Sequence, residues 1–275
     1  MSQTVAAVLH RSYSQINQLR TCGEQYRLER IEHAPSRPSC AAVGGTAVHS
    51  GTELVDHIMH SDPKKGREEV KGWGKLEADK ALDASIVKYP AKDWPIDNWR
   101  KYGRQDVAWF RETGIPQSID AYVDWRFDNP EFVLANIPGF GPAIEVPFNY
   151  YIEDQLIHGW IDRIFTNEDG TDYYPIDLKS GRKPTTDEQL GLYAAALKAS
   201  LGWDVTWGYY LYALKSGTAK VAGPLRVNHW TPEKLRDVYL PATRLIEQGI
   251  YMPHPGESCY HCGVSASCQF VQAAI

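Results

Sequence analysis

Residues 156–179 read LIHGWIDRIFTNEDGTDYYPIDLK. Two aromatic and β-branched runs, Leu156–Phe165 and Tyr173–Lys179, flank the reversal signal Glu168-Asp169-Gly170, so the stretch predicts two neighbouring strands. Side chains two apart on a strand share a face. Asp177 and Lys179 therefore present together while Leu178 packs behind them, and Asp162 brings a second carboxylate from the adjoining strand. Two aspartates offer the hard oxygens that hold Mg²⁺ or Mn²⁺ and leave coordination positions for water and a phosphate oxygen. An ammonium beside them can orient or activate an attacking water and neutralise charge that builds on phosphate. Asp-Leu-Lys alone is an ordinary solvated strand edge, so the reading depends on what surrounds it.

Working outward, Tyr122–Phe127 (YVDWRF) and Ala143–Phe148 (AIEVPF) also read as strands, with Asn129-Pro130 as a reversal. Beyond the central pair, Thr185–Ser200 reads as a packed helix and Thr206–Leu214 as a strand. Thr231–Gln248 reads as a helix opened by Thr231-Pro232. Near the start, Ser14–Cys22 predicts a capped helix that packs through Ile16 and Leu19, with Tyr26 just beyond. Pro35 and Pro38 interrupt the chain, and a helix from Thr46 buries Val48, Leu54, Val55 and Ile58. His49 and Glu53 share a face of that helix. Residues 62–114 read as a charged helical insertion with a helix around Leu76–Val87, broken by Pro90 and Pro95. Strands joined by helices give an α/β class within one domain spanning 1–275.

The chain carries 29 basic and 34 acidic residues, a formal charge of −5, which argues against a protein that coats nucleic acid nonspecifically. It leaves room for a carboxylate cluster whose cations reverse the local field. No apolar run reaches bilayer length, and the opening MSQTVAAVLHRSYS lacks a secretory pattern, so a cytoplasmic location without a membrane is expected. In that setting five cysteines read as ligands or thiols rather than disulfides.

The strand pair does not stand alone. Gly159-Trp160-Ile161-Asp162 leads into it, His49 lies upstream on a predicted helix, and Gln189 and Tyr193 follow four apart on the next helix. In this order the chain resembles the PD-(D/E)XK nuclease superfamily, and within it the RecB-like and Cas4-like branch, from the Cys22 region to Cys268. The resemblance implies a restriction-endonuclease-like mixed β-sheet flanked by helices, with a helical annex bearing a cluster. It implies that His49, Asp162 and Asp177 ligate Mg²⁺ or Mn²⁺, that Lys179 completes the third motif, and that Gln189 and Tyr193 match the QxxxY helix. The usual Pro-Asp start is relaxed here to Gly159–Asp162. His49 would bind through one imidazole nitrogen while the other is held by an acceptor. Glu145 reads equally as support for the metal shell or as a surface-strand carboxylate, and stays outside the catalytic set.

Cys259-x2-Cys262-x5-Cys268 can return three thiolates to one centre, with Cys22 as the fourth candidate and Cys40 as a buried thiol. Such ligation permits a [4Fe–4S] cluster or zinc. The resemblance to Cas4-like and AddB-like nucleases favours iron–sulfur, and implies a staple between residues 1–40 and 250–275. Cys22-Gly23 departs from the usual Cys-Pro.

The resemblance further implies a DNA exonuclease of recombination, repair or phage DNA metabolism, encoded by a bacterium, an archaeon or a phage. Its substrate would be single strands or frayed duplex ends. Arg11, Arg20, Arg27, Arg30, Arg182 and Lys183 read either as guides for phosphate or as solvated faces. Two alternatives stand beside the exonuclease. One is a CRISPR spacer-processing nuclease; the other is an inactive iron–sulfur subunit that binds DNA or a recombination or CRISPR protein.

Overall fold

The computed structural model describes residues 10–89 and 105–271. Residues 1–9 and 272–275, the outer ends of the expected staple, lie outside that range, as does 90–104, which holds Pro90, Pro95 and part of the expected insertion.

The first helix, α1 (Tyr13–Thr21), is capped by Ser12, whose Oγ accepts from Gln15 N at 3.2 Å, two residues before the expected start. The second, α2 (Cys40–Ser61), begins six residues earlier than the sequence suggests, because Ser39 accepts from Ala42 N at 3.1 Å. Gly44 lies inside the helix for a packing reason. A Cβ at Gly44 would lie 2.2 Å from the Phe110 ring. Next come α3 (Arg67–Lys88) and α4 (Ile115–Asp128). Helices α2 and α3 approach closely at Gly51, where a Cβ would sit 2.6 Å from the Gly74 carbonyl oxygen.

The expected strand Tyr122–Phe127 is wrong: it is the last half of α4. Its local alternation misleads, while Ile115, Ile119, Tyr122 and Arg126 recur at helical spacing and are all buried, with Pro116 in the first turn.

The sheet is mixed. Strands β1 (Ile144–Ile152) and β2 (Gln155–Thr166) form a hairpin registered from Ile152↔Gln155 to Ile144↔Arg163. Strand β3 (Tyr173–Leu178) pairs antiparallel with the far half of β2, from Thr166↔Tyr173 to Arg163↔Ile176. Helix α5 (Glu188–Leu201) then carries the chain to β4 (Trp207–Tyr212), which runs parallel to β3 through Ile176↔Tyr209 and Leu178↔Leu211. An edge strand, β5 (Lys220–Arg226), pairs antiparallel with β4. It holds Gly223-Pro224, and proline is tolerated at a sheet edge, where its missing N–H faces solvent. Helix α6 (Pro232–Glu247) follows, with Thr231 as its N-cap.

Two apolar layers cover the sheet. On one side α1, α5 and α6 bury Ile16, Leu190, Leu197 and Leu235 against Val146, Ile157 and Ile161. On the other, α2, α3 and α4 bury Val48, Val55, Leu82 and Ile119 against Phe165, Ile176 and Leu178. This mixed, helix-flanked sheet is restriction-endonuclease-like. The β2–β3 ladder ends at Arg163↔Ile176, so the two strands part beside Asp162 and Asp177. Among the described residues no helix is long and apolar enough to cross a membrane.

Candidate active site

The parting of β2 from β3 leaves backbone groups without a ladder partner, and side chains take them. Asp162 Oδ2 accepts the Leu178 amide at 2.6 Å, and His49 Nε2, on α2, lies 3.1 Å from the Leu178 carbonyl oxygen. A carbonyl only accepts, so this contact places the imidazole proton on Nε2 and leaves the Nδ1 lone pair free. Nδ1 faces Asp162 Oδ1 at 3.8 Å and Glu145 Oε1 at 3.9 Å. Among the described residues, His49, Glu145 and Asp162 form the one group of three such side chains whose ligand atoms all lie within 4.8 Å of one another. An imidazole nitrogen and two carboxylates suit a hard to borderline divalent cation.

Glu145 is the residue that sequence reasoning left outside its set. The signal was present in the register. Counting back across the Glu153-Asp154 turn from Ile152↔Gln155 brings Glu145 opposite Asp162 on the same hairpin. Its backbone is bent, with φ of 46°, a conformation that non-glycine residues seldom adopt and that clusters at functional sites.

A buried network braces this corner. Arg163, wholly buried, donates to Asp56 Oδ2 at 2.5 Å and to Glu145 Oε1 at 3.1 Å. Asp56, also fully buried, accepts from Tyr122 and from Arg126 Nε at 2.9 Å. A carboxylate between two guanidiniums has its charge compensated where water cannot reach it.

Asp177 and Lys179 present together, as expected, with Nζ 2.6 Å from Oδ2 and Leu178 buried between them. They are tied to α5 rather than to the triad. Lys179 Nζ donates to Gln189 Oε1 at 3.3 Å, Gln189 Nε2 donates to Tyr193 Oη at 2.7 Å, and Tyr193 Oη donates to Asp177 Oδ1 at 3.3 Å. The ring closes through four side chains, from β3, the residue just after it, and α5. Tyr193 is held in turn by Phe148, whose ring meets it edge-on at 5.7 Å. Phe148 pairs across the hairpin with Gly159, where a Cβ would lie 2.9 Å from that ring. The glycine of Gly159-Trp160-Ile161-Asp162 therefore makes room for the residue that sets Tyr193.

The electrostatics follow from crowding. Burial pushes the Asp177 carboxyl up and the Asp162 charge adds to it against the pull of Lys179, to about 6. Burial opposes charge on His49, but Asp162 and Glu145 outweigh it and raise the imidazole. Burial likewise opposes the Glu145 carboxylate, and His49 and Arg163 overcome it. Lys179 is raised in spite of burial by Asp177 and Asp162. Carboxylates pressed together in this way favour a cation between them.

A groove of about 480 Å³ opens from Lys179 and Gln189 along α1, past Tyr13 and Asn17 to Gln25 and Arg30. Of the arginines expected to guide phosphate, Arg30 borders this groove, and Arg182 and Lys183 are exposed beyond β3. Of the remaining three, two are in ion pairs and one is buried. Arg20 grips both oxygens of Glu188 at 2.9 and 2.8 Å, Arg27 is paired with Glu24 and Glu32, and Arg11 is buried.

Cys22, between α1 and the next helical turn, meets the C-terminal segment. His254 N donates to Cys22 Sγ at 3.4 Å, and Gly256 N to Cys259 Sγ at 3.5 Å. The Cys262 thiol is pushed up by burial, and the charges of Cys22, Cys259 and Cys268 add to the shift. Gly23 N donates to Met252 O at 2.8 Å, and a Cβ at Gly23 would lie 2.5 Å from Met252 N. This accounts for Cys22-Gly23, since a proline would lose the donor and collide with the neighbouring strand of chain. Arg37 N donates to Gly263 O at 3.0 Å, a further tie between the two ends. Cys40 is buried at the start of α2.

Residues 10–269 match the family described as the PD-(D/E)XK nuclease superfamily. The Gene 69 protein of Mycobacterium phage L5 is 26% identical, over 98% of this chain and 99% of its own length. The Gene 69 protein of Mycobacterium phage D29 is 28% identical, over 94% of this chain and 96% of its own.

Proposed function

The chain belongs to the PD-(D/E)XK nuclease superfamily, and from that premise we propose that it is a divalent-metal-dependent DNA exonuclease of phage DNA metabolism. The observation that carries the reading is the meeting of His49, Glu145 and Asp162 beside the Asp177–Lys179 pair. His49 Nδ1, Asp162 Oδ1 and Glu145 Oε1 are the atoms that would hold Mg²⁺ or Mn²⁺, with Asp177 able to add an oxygen once its carboxyl ionises. An imidazole ligand favours Mn²⁺ over Mg²⁺, which prefers oxygen. When bound, the cation supplies Lewis-acid polarisation of phosphate and makes a water more acidic.

The chain's own groups do the rest. Lys179 Nζ, fixed by Asp177 and Gln189, orients the water for attack on phosphorus and opposes the negative charge that develops there. Gln189 and Tyr193 position this lysine and Asp177. The α1 groove, which runs from Lys179 to Arg30, offers neutral polar groups and a guanidinium to the DNA backbone. Relatives encoded by phages are consistent with a place in phage DNA metabolism. The intact donor set favours an active enzyme over a silent subunit.

Cys22, Cys259, Cys262 and Cys268 fit a [4Fe–4S] cluster, which would join the two ends of the chain and stabilise the annex. Among the described residues no three of the thiols lie within 4.8 Å of one another.

Digestion of DNA labelled at either end, after anaerobic purification and with Mg²⁺ or Mn²⁺, tests the reading. Release of labelled nucleotides only with metal, lost in Asp177→Ala, supports it. Cleavage unchanged in Asp177→Ala would remove the active-site assignment, and cuts confined to internal sites would replace exonuclease by endonuclease. A visible charge-transfer band that disappears in Cys262→Ser supports the cluster, whereas stoichiometric zinc would contradict it.

A further inference from the structure

The outer half of the β1–β2 hairpin is left unused by the site just described. Cross-strand pairs Pro147↔Trp160, Asn149↔His158 and Tyr151↔Leu156 put six side chains on one face of this ribbon. The opposite face, with Val146, Phe148 and Ile157, is packed into the core, so the first face is the open one. Trp160 is 53% exposed and Tyr151 61% exposed. Single exposed aromatics are unremarkable. Three features set Trp160 apart.

The first is its place: Asp162 is the next residue on the same side of the strand, roughly 6.5 Å along it at about 3.3 Å per residue. The second is its support. The His158 ring meets Trp160 edge-on at 4.5 Å, His158 Nδ1 is 2.8 Å from Asn149 Oδ1, and His10 meets His158 edge-on at 5.7 Å. The indole is thus packed against a second ring, which limits its orientations. The third is charge. In a chain of net charge −5, none of these six face residues is a carboxylate, and Glu145 and Asp162 are the next acids toward the site.

We propose that this ribbon face, centred on Trp160, is a stacking platform that leads the unpaired bases of a single DNA strand to or from Asp162. An exposed, braced indole binds any base through its π-face, and only unpaired bases offer that face. The neutral strip lets an anionic backbone run alongside without repulsion until it reaches the cation ligands. The proposal rests on the nuclease reading for its direction and extends it to single-stranded substrate.

The test is anisotropy of labelled oligothymidine and of an abasic strand of equal length, both in Ca²⁺, with wild type, Trp160→Ala and Trp160→Phe. Oligothymidine binding should weaken about tenfold in Trp160→Ala, change little in Trp160→Phe, and show no Trp160 dependence on the abasic strand. Equal loss on both strands, or no loss on either, overturns the platform, as does tighter dependence on duplex than on single strand. Because Trp160 is exposed, thermal melting should be unchanged, and a lowered melting temperature would mark it as structural instead. Wild-type binding with the predicted pattern but no cleavage in Mn²⁺ would remove the nuclease reading and leave the platform standing.

Discussion

Asp177, on β3, and Lys179, one residue beyond its end, form an ion pair of 2.6 Å, and both ends of that pair are tied to α5 through Gln189 and Tyr193. The lysine is thereby held as an ammonium in a fixed place beside the His49, Glu145 and Asp162 triad. Its replacement should remove chemistry and spare binding. Lys179→Met is expected to lower kcat by about 10²–10⁴-fold while Mn²⁺ affinity stays within a few-fold. Single-turnover cleavage and calorimetric Mn²⁺ titration separate the two; a rise in KM alone would assign Lys179 to substrate binding.

Tyr193 acts through its neighbours. Tyr193→Phe removes the hydroxyl between Gln189 and Asp177, a loss of about 1 kcal/mol by ordinary hydrogen-bond values. A fall in kcat of roughly five- to tenfold with little change in KM is the expected result. An unchanged kcat would show that the four-membered ring does not set Lys179.

Glu145→Gln tests the ligand that lies outside the family's named motifs. It keeps the shape but removes the charge facing His49, so Mn²⁺ affinity should fall at least about tenfold. Undiminished affinity would return Glu145 to a purely structural role through its pair with Arg163.

Asp56 sets a pH dependence of stability. Burial alone would raise its carboxyl, but Arg126 and Arg163 overcome that and hold it below its ordinary value of 3.8. A depressed folded value means the stabilisation is fully present above 3.8 and is lost as pH falls through the folded value. Asp56→Asn should cost about 3–5 kcal/mol at pH 7, because two buried guanidiniums lose their counter-charge. The difference from wild type should narrow below about pH 4. Urea denaturation at a series of pH values measures both, and a gap that grows on acidification would contradict the assignment.

Much of this site was legible because its elements are short and strongly patterned. Alternation placed Asp177 with Lys179 and hid Leu178, and helical spacing put Gln189 and Tyr193 on one face. The failures have physical causes. Tyr122–Phe127 alternates like a strand over six residues, and only the longer window from Ile115 exposes its helical period. The start of α2 was set too late, at Thr46, and the packing partner of Gly44, the Phe110 ring, is distant in sequence. The bracing by Asp56, Arg126 and Arg163 depends on helices meeting a strand across the core, which no local pattern encodes. Glu145 needed a register rather than a motif.

The account stands on one imidazole nitrogen and two carboxylates sharing a cation. Pulsed electron paramagnetic resonance of Mn²⁺ added to the protein reads that directly. A bound Mn²⁺ coupled to a single imidazole nitrogen, with the coupling absent in His49→Ala, is the predicted result. Mn²⁺ bound with no nitrogen coupling, or with a coupling that survives His49→Ala, would contradict it.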